Sequence, residues 1–388
     1  MSNQPLLSII IPTKDRYCTL IPIVDSFLNH IVGDDYEIVI QDNSGDNSIW
    51  TEYAKGRYDE KVKYFYDPVS VPIKDNVNRA FSNSNGEYWI FIGDDDFVSP
   101  YILDVVKMMK EKGIEALTYT LKAYYWWGNI KSNNDNRYKS HLAKPNMFLM
   151  PNKINNEIIL KDSKKELKQT LKKGAISYFD LPRLYNGIVK RDVIYQIKKL
   201  TGNYLVGSCP DMSLCISLAL VLNEYYFMDY PAGIFGHSGI RYNNKDAHFN
   251  RLENLSFLPK NISHEWNPNI PRFWCNSTIW PQTVYETLNA FHSDKKINFI
   301  PCYAYVIIRY WREKQVLKET IALLFFYSKF NILKYMNFIY FAGERFAAKV
   351  YHSICLLLKK QITYGVSVSK LSTAEDVMIF LKQYPYNK

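Results

Sequence analysis

The first 120 residues alternate short apolar runs with amphipathic stretches. LLSIII (6–11), YEIVIQ (36–41), VKYFY (62–66), YWIFI (88–92) and EALTY (115–119) are rich in Ile, Val, Tyr and Phe and read as strands. Helical spacing begins near Tyr17, Ser48, Lys74 and Pro100. Strand and helix repeated four times predict an α/β fold with a mostly parallel sheet covered on both faces. From about Leu121 to Asp180 the alternation fades into the aromatic run Tyr124 to Trp127, an Asn-rich loop and a Lys-rich helical stretch, which reads as an insertion. Pattern returns in LYNGIVKRDVIYQIKKL, SCPDMSLCISLAL and YYFMDYPAGIFGHSG. From about Trp274 the chain reads as helices with Lys and Arg interspersed among Leu, Ile, Phe and Tyr. The expected division is a catalytic domain over 1–270, with its insertion at about 121–180, and a basic, mainly helical region over 271–388.

Charge sharpens that division. The chain of 388 residues has a formal net charge of +10, and residues 271–388 hold 16 Lys and Arg against 7 Asp and Glu, so the first 270 residues are nearly neutral. Such helices suit either an anionic membrane surface or a bundle or oligomer with its basic residues in water. No nucleic-acid module accompanies the charge. No apolar run reaches the 18 or so residues of a membrane span. Six cysteines without a CxxC pair, and no signal-like start, predict reduced core thiols in a cytoplasmic protein.

In such sheets ligands bind beyond the carboxyl ends of the strands, and here those ends carry PTKDR, QDNSGDN and GDDD. Asp94, Asp95 and Asp96 place three like charges at the end of a buried run. Two carboxylates roughly 6 Å apart repel by about 3 kcal/mol at an effective dielectric of 20, so a positive partner is expected. If the strand stays extended, Asp94 and Asp96 face one ligand and Asp95 the other side. Such a pair suits a hard divalent cation, Mg²⁺ or Mn²⁺, on a diphosphate. A helix start capped by Ser99, with Pro100 in its first turn, accounts for at most one of the three aspartates.

SIIIPTKDR, EIVIQDNSGDN and NRAFSNSNGEYWIFIGDDDFVSP, in that order, resemble the family 2 glycosyltransferases of the GT-A fold over roughly residues 5 to 245. The resemblance implies that Pro12, Thr13 and Arg16 line a nucleotide pocket with Asp15 nearby, and that Asp42, beside Asn43, meets the base ring. The family's D-x-D falls on Asp94, near the ribose, and Asp96, a metal ligand, with Asp95 in the nucleotide site. Many members have an acidic pair where this chain has Gln41 and Asp42, so one carboxylate serves the base; a turn closed by the Asp42 side chain is the structural alternative.

Glycosyl transfer also needs a group that takes the acceptor's proton. Asp211, at the start of a helix late in the domain, resembles the family's base, although a helix-start carboxylate is also favoured by the macrodipole. His237 resembles a position that supplies an imidazole, sometimes as a further metal ligand. Arg241 and Lys245 could reach diphosphate oxygens. Tyr124, Trp126 and Trp127 could stack on an acceptor sugar or pack the insertion onto the sheet.

The implied protein is a metal-dependent inverting glycosyltransferase with a nucleotide-diphosphate sugar donor, UDP-linked. Its acceptor would be a glycan or lipid-linked molecule of surface polysaccharide synthesis, capsule or lipopolysaccharide, at the inner face of the plasma membrane. Homo-oligomerisation stays open. The rivals are a catalytically silent nucleotide-sugar or glycan-binding module, and a membrane scaffold built on the helical third. A dehydrogenase is disfavoured because no GxGxxG follows the first strand.

Overall fold

Four runs apolar on both faces lie side by side as the parallel part of one sheet. β1 (Leu7–Thr13), β2 (Tyr36–Asp42), β3 (Val62–Tyr66) and β4 (Tyr88–Phe91) alternate with α1 (Tyr17–His30), α2 (Ser48–Ala54) and α3 (Ile73–Ser82), as the sequence pattern predicts. The computed structural model describes residues 4–386 except 59, 121–122, 131–143, 152–153, 179, 240–251, 253–260 and 358–364. β1 runs parallel to β2 on one side and to β4 on the other. Pro12 lies past the last β4 rung, Ile10 to Phe91, where that ladder has ended and the missing N–H matters least.

After β4 come β5 (Phe97–Val98), α4 (Ile102–Glu111) and β6 (Ala116–Tyr119). The helix starts two residues beyond the expected cap. Ser99 accepts from the Tyr101 amide through its hydroxyl at 3.1 Å, and that hydroxyl meets the Tyr230 phenol at 2.6 Å. β7 (Tyr124–Trp126), β8 (Met147–Pro151), β9 (Ile158–Asp162) and α5 (Ser163–Lys172) occupy the stretch expected to be an insertion. β9 is the edge of the main sheet and the other two strands join a second sheet, so this segment is part of the domain's framework. The Asn-rich loop lies outside the described residues.

β10 (Gly187–Lys190), α6 (Arg191–Thr201), α7 (Pro210–Val221), β11 (Glu224–Met228) and β12 (Gly233–His237) complete the first 270 residues. The main sheet has the order β3-β2-β1-β4-β10-β6-β11-β9. β10 enters antiparallel to both β4 and β6 and so ends the parallel run. One face of the sheet buries Leu20, Val24 and Phe27 of α1 with Val105 and Met109 of α4. The other buries Val77 and Phe81 of α3 with Ile194 of α6 and Leu214 of α7.

The remainder consists of α8 (Asn276–Ala290), α9 (Ile300–Arg309), α10 (Lys314–Ser328), α11 (Ile332–Leu357), β13 (Gly365–Ser369) and α12 (Ala374–Leu381). The end of the chain departs from the two-part division. β13 pairs antiparallel with β8, giving the second sheet the order β13-β8-β7-β12-β5, and α12 packs on α1. Ala374, Val377, Met378 and Leu381 belong to the first core, so the last stretch completes the domain that the first residues begin. Among the cysteines expected in the core, Cys215, Cys275 and Cys302 are buried, but Cys18 is exposed on the first turn of α1. No helix among the described residues is long and apolar enough to cross a membrane.

Candidate active site

The acidic run does not continue β4 as an extended strand. The chain leaves the sheet after Phe91 and turns, with the Asp96 amide donating to the Gly93 carbonyl at 3.2 Å. Strand alternation therefore fails here, and the side chains sort differently from the expectation. Asp94 and Asp95 share Arg16, whose guanidinium reaches Asp94 at 2.8 Å and Asp95 at 2.6 Å. Asp96 turns inward, 1% exposed. It accepts from the amides of Gly93 and Gly236 at 2.9 and 2.8 Å, from the Tyr185 hydroxyl at 2.9 Å and from the Asn186 amide group at 3.4 Å. The positive partner that the three charges demand is supplied by the loop after β1.

That loop is built to hold Arg16. Thr13 donates to Asp94 at 2.7 Å, tying the end of β1 to the turn. Asp15 adopts φ +56°, and its amide donates to Ser44 at 2.7 Å, which joins the first loop to the second. Burial pulls the Arg16 pKa down, but Asp94 and Asp95 outweigh it and raise it above the ordinary value. Burial first, and then the neighbouring aspartates, push Asp94 and Asp96 above the usual carboxylate range. One guanidinium bridging two of three neighbouring carboxylates leaves a surplus of acidic groups at the turn.

β12 supplies the facing wall. Ser238 donates through its hydroxyl to Asp95 at 2.7 Å and also contacts Arg16. The Trp127 indole donates to the Asp95 carbonyl at 2.9 Å. Gly236 is dictated by proximity, because a Cβ there would lie 1.5 Å from the Asp95 carbonyl oxygen. His237 alternates to the other side of the strand and stacks on Tyr124 and Trp126, with ring centroids 5.8 and 5.5 Å apart. Of the two proposed metal ligands, Asp96 is thus inside the carboxylate cluster and His237 among the aromatic rings. The aromatic run divides by strand alternation: Trp127 stacks on Phe97 in the core beside fully buried Tyr125, whereas Tyr124 and Trp126 share the His237 face. Arg241 and Lys245 lie outside the described residues.

Asp42 shows the turn alternative. It is fully buried, and its oxygens accept from the Ser44 amide at 2.8 Å, the Ser44 hydroxyl at 2.5 Å, and the phenols of Tyr17 and Tyr64, both at 2.5 Å. The contact expected with a base ring meets a carboxylate already holding four donors. Asn43 binds the carbonyls of Asp67 and Val69 at 2.8 and 2.7 Å and fixes the loop after β3. Beside it, a cleft of about 380 Å³ lined by Gln41, Tyr66, Asp67 and Arg79 opens at the carboxyl ends of β2 and β3.

Asp211 occupies the first turn of α7, behind Pro210. Burial raises its carboxyl to about 6, against the opposing effect of backbone hydrogen bonding. Burial, followed by the charges of Asp96 and Asp211, lifts the Tyr185 phenol well above its usual value. Tyr185 thus borders the acidic turn through its hydroxyl, and the charge of Asp211 acts on it as well. Sequence reasoning missed Tyr185, Asn186 and Glu286, and it read Gly236, Ser238 and Gly239 only as a tight loop able to approach phosphate. Glu286 of α8 receives the Ser208 amide at 2.7 Å and the Ser208 hydroxyl at 3.0 Å, and so anchors the loop that leads into Asp211.

The donor chemistry suits a hard divalent cation, since the turn holds three carboxylates and one guanidinium, which pairs with two of them. Among the described residues no group of three His, Cys, Asp or Glu is arranged to hold a metal. An ion would have to compete with Arg16 and the amides for these oxygens.

An α/β domain with polar loops at the carboxyl ends of its parallel strands and an acidic turn after the fourth is the GT-A architecture. Residues 8–165 match the model of "Glycosyl transferase family 2". It is 32% identical over 97 residues to an uncharacterized glycosyltransferase of Haemophilus influenzae, covering 25% of this chain and 39% of that one. It is 31% identical over 94 residues to the GalNAc(5)-diNAcBac-PP-undecaprenol beta-1,3-glucosyltransferase of Campylobacter jejuni, covering 24% and 30%. The matches thus span well under half the length of these curated relatives. Among solved structures, S. aureus TarS 1-349 in complex with UDP-GlcNAc aligns with 98% of this chain and 93% of that one, at a TM-score of 0.42 and 13% identity.

Proposed function

We propose that the chain is an inverting glycosyltransferase that moves a sugar from a nucleotide-diphosphate donor, UDP-linked, to a glycan or lipid-linked acceptor in surface polysaccharide synthesis. The observation that carries the reading is the acidic turn beyond β4, where Arg16 bridges Asp94 and Asp95 at 2.8 and 2.6 Å within the region that matches the glycosyltransferase family. The Campylobacter relative, named for a PP-undecaprenol-linked glycan, supports the lipid-linked alternative.

In this mechanism Asp211 takes the acceptor hydroxyl's proton as that oxygen attacks the anomeric carbon. The anomeric bond to the diphosphate breaks as the new bond forms on the opposite face, so the configuration inverts. Thr13 and Ser238 hold Asp94 and Asp95 in place, and Arg16, which bridges them, would supply positive charge to the departing diphosphate. A divalent cation, Mn²⁺ or Mg²⁺, held at Asp96 would neutralise charge on the leaving diphosphate. Trp126 is 6% exposed and packs against Met147, so half-buried Tyr124 is the ring of this run that would offer surface to an acceptor sugar.

The test is a transfer assay over a panel of nucleotide sugars, run beside nucleotide binding, with Asp211→Asn as the variant. Loss of transfer with retained binding supports the reading. Binding of a nucleotide sugar without turnover by the native chain would favour a silent binding module.

A further inference from the structure

The C-terminal helices were expected either to meet an anionic membrane surface or to form a bundle with Lys and Arg in water, and two of their lysines instead reach back along the helices. α11 buries Phe341 and keeps Phe338 and Arg345 partly covered on its α9 side. Lys334 and Lys349 hook inward, donating to the Tyr327 carbonyl at 2.7 Å and the Ile308 carbonyl at 3.1 Å, near the carboxyl ends of α10 and α9. The outward side is left apolar. Phe326 (69% exposed), Phe330 (103%), Leu333 (69%), Ile339 (68%), Phe346 (58%) and Ile354 (47%) recur at helical spacing along the α10–α11 hairpin. Within α11, from Leu333 to Ile354, they span about 32 Å at 1.5 Å per residue. Water-soluble monomers rarely leave so long an apolar strip uncovered.

We propose that this hairpin docks on the surface of an anionic lipid bilayer, its aromatic and aliphatic strip entering the headgroup boundary. Charge selects this occupant over a second copy of the chain. Residues 309–354 hold eight Lys and Arg against three Glu, a net +5, so two copies meeting on this face would bring like charges together. Arg312, Lys314, Lys318 and Lys329 are exposed along the same hairpin, where anionic headgroups would meet them. Aromatic side chains of this kind favour the membrane–water boundary, and α11 is too weakly apolar to span, which fits a helix lying in the interface plane. The inference gives the proposed acceptor a place to be met, but it rests on the hairpin alone and stands or falls separately from the transfer reaction.

The experiment is co-sedimentation of the full chain with vesicles of phosphatidylcholine alone and of an equal mixture with phosphatidylglycerol, without any donor, beside analytical ultracentrifugation in buffer. Binding to the anionic vesicles is expected. It should fall about 100-fold in the double variant Phe330→Ser with Phe346→Ser. It should fall at least about tenfold in Lys318→Glu with Lys329→Glu, with melting temperatures preserved in both. A monomer that ignores anionic vesicles, or binding unchanged by the apolar variants, overturns the proposal. So does a dimer that the apolar variants dissociate, which would assign the strip to a second copy. Unaltered donor turnover in vesicle-blind variants would leave the transfer reading intact.

Discussion

Replacing Arg16 with Met removes the one side-chain cation seen to bridge the acidic turn while keeping most of the stem's volume. The guanidinium makes two charge-assisted contacts, 2.8 Å to Asp94 and 2.6 Å to Asp95, and those carboxylate side chains are only 5% and 14% exposed. A unit pair about 4 Å apart attracts by about 4 kcal/mol at an effective dielectric of 20, and desolvation of the guanidinium offsets part of this. Breaking a buried pair by deleting one member costs about 3 to 5 kcal/mol, because the remaining charge stays buried without compensation. That range is the expected loss of stability near neutral pH, read by urea unfolding. The pH dependence carries the sign. With the cation gone the folded-state pKa of Asp94, already raised by burial against the opposing pull of Arg16, rises further above that of the unfolded chain. The folded state then binds more protons, so stability falls as pH rises from the ordinary carboxylate range toward neutrality. The deficit relative to the native chain should accordingly shrink as the pH is lowered toward 4. Added Mn²⁺ should stabilise the variant more than the native protein, by taking the place Arg16 leaves. A variant within about 1 kcal/mol of the native chain at neutral pH, with the same pH profile, would refute the claim that Arg16 neutralises this turn.

Other sites give independent tests. Asp211→Asn should lower transfer by at least about a hundredfold and leave nucleotide affinity unchanged in calorimetry. In the native enzyme, kcat/KM should rise with pH through about 6, where the Asp211 carboxyl loses its proton and becomes a competent base; a flat profile across that range would exclude it. Gly236→Ala forces a Cβ against the Asp95 carbonyl and should cost about 3 kcal/mol or prevent folding, read by thermal melting against a Gly343→Ala control, where nothing lies within 4 Å. Tyr64→Phe removes one of four donors to buried Asp42 and should cost about 1.5 to 3 kcal/mol in denaturant unfolding.

The parallel half of the sheet was legible because β1, β2 and β4 are buried on both faces, and such strands read as unbroken apolar runs. β10 was not legible as an antiparallel intruder, since GIVK carries no sign of which strands it joins. The return of β13 and α12 to the first core is a long-range event that local periodicity cannot report. Within the site, Arg16 and the three aspartates could be named from their motifs. Their pairing joins residues 79 positions apart, and it depends on a turn that replaces the extended geometry a strand end suggests. Asp42 is instructive in the same way: its phenol partners, Tyr17 and Tyr64, look like ordinary aromatic members of a helix and a strand. Ser238 and Gly236 stood out in sequence only as a tight loop, because their role follows from how closely β12 approaches the acidic turn.

The most direct measurement is calorimetric titration of the full chain with UDP, GDP, CDP and dTDP, each with and without Mn²⁺. The account predicts saturable binding of UDP that strengthens with the metal and is weakened when Asp96 is replaced by Asn. Absence of binding by every one of these nucleotides in the presence of metal would contradict it.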